Sequence, residues 1–343
     1  MICHLIVSGL APLKNIGPNI LENVDLPALE TLLARGTPKR IENASIESWL
    51  AEAFGLHGAG ESPLAPYALR GEGMDPGQDG WLCADPVHLH IASEKVVLAD
   101  SSQFSIAAED ARQMVETLNA HFIDQGFAFF APAPGRWYLR TSNPPQIRTT
   151  PTSEVVGRAI TSYLPEGDER AYWRGILNEA QMVLHGHPCN ERREQSGEVP
   201  INSLWFWGAG KVAALNPRLR YDRIWSDNPL ARGLGLFSDV RTEALPVSTD
   251  SLLDVGVPDD TRHLVVLPPL PPVKTGTAVA LREALVRLEQ CWFAPLLVGI
   301  RQGLVATLAV HAVGAGTGWT LEFNRRDRHR WWRRRKRFFD YAS

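Results

Sequence analysis

Apolar residues follow two patterns in the first part of this chain. Residues 2–9 (ICHLIVSG) are almost continuously apolar, which is typical of a strand buried on both faces. Leu29, Leu32 and Leu33 then recur at helical spacing, and residues 43–54 show the same periodicity. The pattern predicts a buried strand followed by two amphipathic helices.

Polar residues mark where these two helices are expected to begin. Asp25 is suited to cap the first helix, with Pro27 in its first turn. Asn43 or Ser45 is suited to cap the second, because a short polar side chain accepts hydrogen bonds from the backbone N–H groups of a first turn.

The middle of the chain changes to short strands on either side of one helix. The predicted strands are residues 86–91, residues 94–100 and a pair within residues 127–141, and the predicted helix is residues 105–122. This β-β-α-β-β pattern predicts a self-contained module inserted into a larger fold.

From about residue 200 onward, apolar strands alternate with helices. The predicted strands are residues 201–208, 234–239, 263–270 and 304–313, and the predicted helix is residues 276–294. Such alternation indicates a mostly parallel sheet covered on both faces. The sequence therefore predicts an α/β fold, a mostly parallel sheet sandwiched by helices with an inserted smaller α+β domain. The predicted boundaries are residues 1–75 and 190–323 for the sheet, 76–189 for the inserted domain with its return helix, and 324–343 for a tail.

Composition adds a charge asymmetry to this organisation. The 343 residues are 44% apolar and 21% charged, as in ordinary globular proteins, and the formal net charge is −3. Residues 325–337 carry nine Lys or Arg and one Asp, hence +8, which leaves −11 for the remainder. An acidic body is therefore joined to a strongly basic tail.

The basic tail also contains aromatic residues, including Trp331 and Trp332. Cations interleaved with aromatic rings suit nucleic acid, because the cations bind phosphates and the rings stack on bases. They also suit an anionic membrane surface, and a contact with a protein partner or with the acidic body is the third interpretation. The residues expected to contact a polyanion are Arg325, Arg326, Arg333, Arg334, Arg335, Lys336 and Arg337.

The sequence gives no indication of export or of a membrane span. The first apolar run is short and has no basic leader, and no run approaches the ~18 apolar residues of a transmembrane helix. Four scattered cysteines without a CxxC pair suit reduced thiols. We therefore expect a cytoplasmic protein with no transmembrane segment.

Two histidine clusters have spacings that zinc sites use. His88 and His90 are two residues apart, as are the successive members of His185, His187 and Cys189. Neither cluster has a second pair of ligands at a matching spacing, so no metal is expected at either.

Residues 208–211 (GAGK) resemble part of a phosphate-binding loop but lack its GxxxxGK[ST] pattern, since Val212 follows Lys211. Gly208 and Gly210 would still allow a ligand to approach the backbone, whose N–H groups suit an anion. Trp205 and Trp207 are expected to pack in the core beside this turn.

Residues 177–211 contain a helix end, a connection and a strand exit in a distinctive order. The residues concerned are Pro188, Asn190, Arg193, Gly197, Asn202, Trp207, Gly208 and Gly210. In this order they resemble the cofactor-independent phosphoglycerate mutases, specifically the archaeal-type branch of the alkaline phosphatase superfamily. The likeness extends over most of residues 1–300, with Arg136 in the segment that resembles the family's inserted substrate domain.

The resemblance implies phosphoryl transfer through a Ser or Thr nucleophile held between two divalent metals, Mn or Zn. This chain departs from the family at the metal positions. Ser8 stands where the family has an aspartate, residues 263–276 contain prolines and leucines where it has a D-x-x-x-H pair, and Val310 precedes His311 where it has Asp-His. We therefore expect neither metals nor catalysis, with His263 and His311 as the candidates if a metal does bind.

The preferred hypothesis is a non-catalytic relative of these mutases that acts as a regulatory or binding protein. The chain also resembles bacterial proteins described as regulators of pathogenicity factors (RpfE-type). A phosphorylated metabolite or a protein partner is the expected ligand, and the residues expected to hold the metabolite are Arg136, Arg158, Asn202, Gly208, Gly210 and Lys211.

Two alternatives stay open. One is an active metal-dependent phosphomutase or phosphatase, with Ser45 or Ser48 as nucleophile. The side chains expected around that nucleophile are Asp85, His88, His263 and His311. The other is a nucleic-acid-associated protein that uses the basic tail.

Overall fold

The computed structural model describes residues 1–11, 24–42, 45–56, 61–253, 260–271, 278–314 and 316–338. The chain forms two compact units. The first unit contains Met1–Leu50 and Leu219–Ser343, and the second contains Ala51–Arg218.

The secondary structure alternates between strands and helices over much of the chain. The strands are β1 (Ile2–Ser8), β2 (Thr37–Glu42), β3 (Gly80–Ala92), β4 (Lys95–Asp100), β5 (Ala128–Ala133), β6 (Arg136–Thr141), β7 (Ile147–Arg148), β8 (Glu166–Gly167), β9 (Ser203–Gly210), β10 (Arg223–Ser226), β11 (Arg241–Glu243), β12 (Arg262–Val266), β13 (Thr307–Val313) and β14 (Thr317–Asn324). The helices are α1 (Pro27–Arg35), α2 (Ile46–Ala53), α3 (Ala65–Gly71), α4 (Ala108–His121), α5 (Thr152–Val155), α6 (Arg170–His185), α7 (Pro188–Gln195), α8 (Pro229–Phe237), α9 (Ala278–Leu288) and α10 (Ala294–Gln302).

The first unit is built on a seven-stranded sheet in the order β11-β10-β12-β1-β13-β14-β2. The five strands from β11 to β13 run parallel, and β14 and β2 add antiparallel pairs at one edge. Leu5 and Val7 of β1 pack in one apolar core with Leu29 of α1 and Leu285 of α9. The predicted α/β fold with a mostly parallel sheet is confirmed.

The second unit is built on an antiparallel sheet in the order β4-β3-β6-β5, with β9 also paired to β3. α4 and α6 contribute Leu118 and Trp173 to its core, which also contains Phe206 of β9. The predicted β-β-α-β-β module is therefore present, and β9 adds a fifth strand to its sheet.

The predicted domain boundaries need correction. Residues 190–218 were assigned to the larger sheet, but Leu204 and Phe206 of β9 pair with Pro86 and Ala84 of β3 in the smaller one. The units divide at 50/51 and 218/219 instead of 75/76 and 189/190. The described part of the predicted tail, residues 324–338, is not separate either, because Phe338 is 4% exposed and packs in the core of the first unit.

One predicted strand is a helix. Residues 234–239 fall largely within α8, and the strand of this region is the preceding β10. The Asn228 side chain accepts the backbone N–H of Ala231, and Pro229 occupies the first helical turn. These two residues are a strong helix start, and they outweigh the short apolar run that favoured a strand.

Glu289, and not Asp25, caps the first helix. Its two carboxylate oxygens accept the backbone N–H groups of Ala28 and Leu29 at 2.5 and 3.2 Å. Glu289 begins a π-helical turn between α9 and α10, and burial raises the pKa of its carboxyl. The prediction that Asp25 caps this helix is wrong. The residue at the N-cap position is Leu26, whose side chain makes no hydrogen bond to the first turn.

The described helices include none that is long and apolar enough to cross a membrane. All four cysteines are free thiols, and Cys3, Cys83 and Cys189 are buried.

Replacement of Glu289 by Ala should lower the free energy of unfolding by about 1–3 kcal/mol, because two N–H groups of α1 lose their buried acceptor. Urea unfolding followed by far-UV circular dichroism measures this loss. Glu283→Ala, at an exposed position on α9, is the control and should change stability little. Equal stability of the two variants would refute the capping role of Glu289.

Candidate functional site

The carboxyl ends of β1, β12 and β13 form the edge where open parallel sheets usually bind ligands. Beyond β12 the chain continues along β1, since the N–H of Leu267 bonds to the carbonyl of Ile6 at 3.1 Å and that of Leu270 to the carbonyl of Ser8 at 2.9 Å. A Cβ atom added at Gly9 would lie 3.2 Å from the Leu270 Cβ. Main chain and a leucine side chain therefore cover the end of β1.

A pocket of about 420 Å³ lies beside this covered edge. Val7, Leu267 and Trp292 are buried and line it, while Pro268 lines it from an exposed position and Arg287 adds an exposed cation from α9. Its lining thus combines apolar side chains with charged ones.

His311 lies on one face of the central sheet with both ring nitrogens in contact with polar atoms. Its Nε2 is 3.1 Å from Nδ1 of His4, and its Nδ1 is 3.0 Å from the Thr320 hydroxyl. The two imidazoles stack at 5.4 Å, and the Trp49 ring lies 4.6 Å from His311. Burial lowers the pKa of His4 to about 4 and that of His311 to about 3, so both rings are neutral at pH 7.

His263 lies on the opposite face of the same sheet. In the strand register His263 pairs with Cys3 and His311 pairs with Ile6, and alternate residues of β1 point to opposite faces. The His263 Nδ1 accepts the indole N–H of Trp225 at 3.3 Å, and burial lowers the pKa of His263 to about 4. The two histidines named as metal candidates therefore cannot bind one ion together.

Ser45 serves as the start of α2. Its hydroxyl oxygen accepts the backbone N–H of Ser48 at 3.1 Å, and the two hydroxyl groups are 3.0 Å apart. Ser45 is buried, so its hydroxyl satisfies a helix N-terminus that water does not reach. Ser45 is one of the two caps predicted for this helix, and the other, Asn43, lies outside the described residues.

A half-buried acid, Glu61, lies at the glycine turn of the second unit. The carboxyl of Glu61 accepts the backbone N–H of Gly208 at 2.8 Å, the backbone N–H of Thr149 at 2.9 Å and the Thr149 hydroxyl at 2.5 Å. Burial raises the pKa of Glu61 from its ordinary 4.5 to about 7. The N–H group of Gly208, which was predicted to face a ligand anion, therefore faces a carboxyl group of the protein.

A second acid, Asp85, lies on β3 in the same unit. Its Oδ2 accepts the hydroxyl of Thr152 at 2.5 Å and the indole N–H of Trp207 at 2.7 Å. Burial raises the pKa of Asp85 to about 6. Trp205 donates its indole N–H to the Thr150 carbonyl at 2.7 Å, and both tryptophans of β9 are buried, as predicted.

Arg136 on β6 is another of the predicted ligand residues. It forms an ion pair with Glu72, and its side chain is 48% exposed. The hydrogen bond to Glu72 and, to a smaller extent, the charge of Asp85 raise the pKa of Arg136. Ligand binding by Arg136 stays a prediction, and the guanidinium group is accessible for it.

The other predicted ligand residues are spread along the unit. The Asn202 amide bonds both the N–H and the carbonyl of Leu89, at 2.8 and 2.9 Å, just before β9. Lys211 is exposed just beyond the other end of this eight-residue strand. At ~3.3 Å per residue, Asn202 and Lys211 are about 30 Å apart along the strand. Arg158 donates to the Tyr163 hydroxyl at 3.0 Å. These residues do not converge on one site.

Gly208 and Gly210 are required by packing within the second unit. Gly208 has φ +69°, and a Cβ there would lie 3.1 Å from Leu64 Cβ, just before α3. A Cβ at Gly210 would lie 2.2 Å from Pro63 Cβ, which a real structure cannot accommodate. The protein's own chain occupies the space that a ligand was expected to use.

Comparisons with known proteins bear on this arrangement. A family model described as 2,3-bisphosphoglycerate-independent phosphoglycerate mutase matches residues 85–190. A protein of that name from Methanosarcina barkeri is 26% identical over 249 residues, which is 68% of this chain and 62% of the relative. This chain is therefore similar to the 2,3-bisphosphoglycerate-independent phosphoglycerate mutases.

Two further comparisons extend this relationship. The 2,3-bisphosphoglycerate-independent phosphoglycerate mutase 2 of Methanothermobacter thermautotrophicus is 26% identical over 272 residues, 72% of this chain and 65% of the relative. The match thus spans less than two thirds of either mutase. A structure of the PH0037 protein from Pyrococcus horikoshii covers 94% of this chain and 87% of its own, with a TM-score of 0.53 and 14% identity, and shows the shared fold.

The stretch that most resembles the mutases holds the second unit together. Asn190 donates to the carbonyls of Leu184 and Ile201 and accepts the N–H of Ile201, so it ties the end of α6 to the approach to β9. Arg193, buried, donates to the carbonyls of Val199 and Ser105. The mutase-like pattern in this chain is therefore a structural one.

Two divalent metals do not fit the residues present. Within the described ranges, no three His, Cys, Asp or Glu side chains are grouped so as to hold an ion. Leu270 covers the strand end at Ser8, and both ring nitrogens of His311 already contact polar atoms of His4 and Thr320. A pair of dications needs several anionic oxygens, which the described residues of this edge do not provide. In the cluster of His185, His187 and Cys189, the His187 Nδ1 accepts the backbone N–H of Cys189.

Sequence reasoning missed Glu61 and the role of Asp85. Glu61 follows a Gly-rich stretch without periodicity, and its partners Thr149 and Gly208 lie 88 and 147 residues away. A lone glutamate in such a segment carries no signal that it is buried.

Replacement of Glu61 by Gln should flatten the pH dependence of stability. The folded pKa of about 7 exceeds the ordinary 4.5, so the folded state holds the proton more tightly. The contribution of Glu61 to wild-type stability should therefore be complete below about pH 4.5, fall by roughly 3 kcal/mol up to about pH 7, and stay constant above it. Glutamine does not titrate, and the variant should lose this fall.

Urea unfolding at pH 5 and pH 8 tests this expectation. Glu166→Gln, at an exposed glutamate of the same unit, should behave as the wild type. If Glu61→Gln retains the full pH dependence, the burial of a protonated Glu61 is disproved.

Proposed function

We propose that this chain is a non-catalytic member of the phosphoglycerate-mutase-like proteins that acts by binding and regulation. The observation that carries the proposal is Leu270, whose N–H bonds to the Ser8 carbonyl and whose side chain packs on Gly9 at the end of β1. A strand end covered in this way has no room for a metal-bound phosphoryl group.

Electrostatics at the same edge support the proposal. Ser8 and Val310 contribute no charge, and burial holds His311 neutral. Phosphoryl transfer needs cations to neutralise the phosphoryl oxygens, and cations need anionic ligands to stay in place. Serine, valine and a neutral, hydrogen-bonded histidine supply neither.

The ligand we propose is a phosphorylated metabolite, with Arg136 as its principal contact. The guanidinium group of Arg136 forms an ion pair with Glu72, and about half of its side chain is open to solvent. A guanidinium group can bind a carboxylate and a phosphate oxygen at the same time, because it carries five N–H donors. A cytoplasmic location is part of this proposal.

The alternative is an active metal-dependent phosphomutase or phosphatase with Mn or Zn. It requires Ser45 to leave its position as the cap of α2, where it accepts the Ser48 N–H. His263 and His311 lie on opposite faces of the sheet, so they cannot bind the same metal ion. The alternative therefore requires further metal ligands.

Metal binding separates the two functions. After incubation with Mn²⁺ or Zn²⁺ and gel filtration, the full chain should carry no stoichiometric metal by elemental analysis. It should show no turnover of 3-phosphoglycerate. Two ions per chain together with turnover that Ser45→Ala abolishes would overturn the proposal. Ser45→Ala alone is expected to cost about 1 kcal/mol of stability as a lost cap.

Ligand binding by Arg136 is tested by the thermal stabilisation that 3-phosphoglycerate produces. Arg136→Gln should reduce this stabilisation, because the cation that faces the ligand is lost. Arg140→Gln is the matched control, as Arg140 lies four residues further along β6 and is 47% exposed. An equal response of both variants, or no stabilisation of the wild type, would count against a phosphorylated ligand at Arg136.

A further inference from the structure

The basic segment, residues 325–337, has a fixed place on the first unit. Arg330 and Arg333 donate to the carbonyls of Arg35 and Gly36, at 3.0 and 3.1 Å, where α1 ends. The N–H of the buried Phe338 bonds to Glu30 at 3.0 Å just beyond the segment. Guanidinium groups at a helix C-terminus are favoured by the helix dipole, so these contacts stabilise the fold.

Two tryptophans within the basic segment remain outside the core. Trp331 and Trp332 are 76% and 63% exposed, and their rings lie 6.2 Å apart at 80° to each other. Each indole thus has ring surface open to solvent. Burial of such surface is favourable, so the pair provides a hydrophobic surface for a flat partner.

Cations surround this aromatic pair. Arg330 forms an ion pair with Asp327 at 2.9 Å, and Arg335 forms one with Glu30 at 3.4 Å. The segment nevertheless carries nine Lys or Arg against its single Asp. Arg325, Arg326 and Arg334 are exposed on either side of the tryptophans.

The backbone conformation favours nucleic acid over a membrane. The segment contains one short helical turn, Asp327–His329, and irregular chain beyond it. An interfacial membrane helix needs its apolar and cationic residues on separate faces. Here rings and guanidinium groups follow each other along an irregular chain, as phosphates and bases do along a single strand.

We propose that the basic segment binds single-stranded nucleic acid. Bases stack on Trp331 and Trp332, and the backbone phosphates contact the exposed arginines, with Arg326 and Arg334 among them. This goes beyond the proposed function, since it needs neither Arg136 nor the edge of the parallel sheet. Recognition of this kind is electrostatic and insensitive to base sequence.

Fluorescence anisotropy of the full chain with a fluorescein-labelled oligothymidylate tests the proposal across a salt series. The double variant Trp331→Ala/Trp332→Ala should weaken binding about tenfold or more, because base stacking is lost. Arg326→Ala/Arg334→Ala should reduce the slope of log K against log salt by about 1.4, at ~0.7 per phosphate contact on a single strand.

Matched variants distinguish the segment from a general charge effect. Arg148→Ala/Arg218→Ala removes the same charge from exposed positions of the second unit and should leave the slope unchanged. Ile91→Ala removes an apolar side chain that is 80% exposed and should leave the affinity unchanged. Circular dichroism should show all variants folded, since the altered side chains are exposed.

Three results would overturn the proposal. The first is unchanged affinity of the tryptophan variant. The second is an equal loss of slope in the Arg148/Arg218 control. The third is binding to phosphatidylserine vesicles without binding to the oligonucleotide, which would make the segment a membrane surface. None of these results depends on metal content or on 3-phosphoglycerate, so the two proposals fail separately.

Discussion

The continuation of the chain beyond β12 along β1 determines what the first unit can do. The backbone bonds from Leu267 to Ile6 and from Leu270 to Ser8 extend the pairing of these strands past the sheet edge. In a metal-dependent relative this edge would need room and carboxylates. Here Leu270 packs on Gly9, and a pocket with apolar and charged lining lies beside it. The core of the first unit is apolar, so the packing of this fold does not depend on bound metals.

The second unit has the opposite arrangement, with acids where a ligand was expected. Glu61 and Asp85 are held by hydroxyl, indole and backbone donors, and burial raises both pKa values toward neutrality. A buried carboxyl group is tolerated when its oxygens are hydrogen-bonded. Glu61 thereby joins the Gly208 turn to the loop at Thr149. The mutase-like stretch through Asn190 has the same role of tying elements together.

The sequence predicted many of the elements, with residues 234–239 as an exception, and did not predict their long-range partners. β1, β12 and β13 were predicted from continuous apolar runs, because such runs are buried wherever they pair. The run at 201–208 was also predicted as a strand, but its pattern does not reveal whether β3 or the larger sheet is its neighbour. Glu289 and Glu61 bond residues more than 80 positions away. No local periodicity encodes such contacts, and the site was predicted less well than the fold for this reason.

The basic segment, residues 325–337, has one role in folding and one feature that folding does not explain. Part of the basic segment serves folding, since Arg330 and Arg333 bind the carbonyls that end α1 and Arg335 contacts Glu30. That role explains some of the cations. It does not explain two adjacent indoles left in solvent, because Phe338 shows that an aromatic ring of this region can reach the core. A partner that carries flat rings and anions would bury these indoles and pair with the neighbouring guanidinium groups, which makes its binding favourable. The surface around Trp331 and Trp332 combines both features.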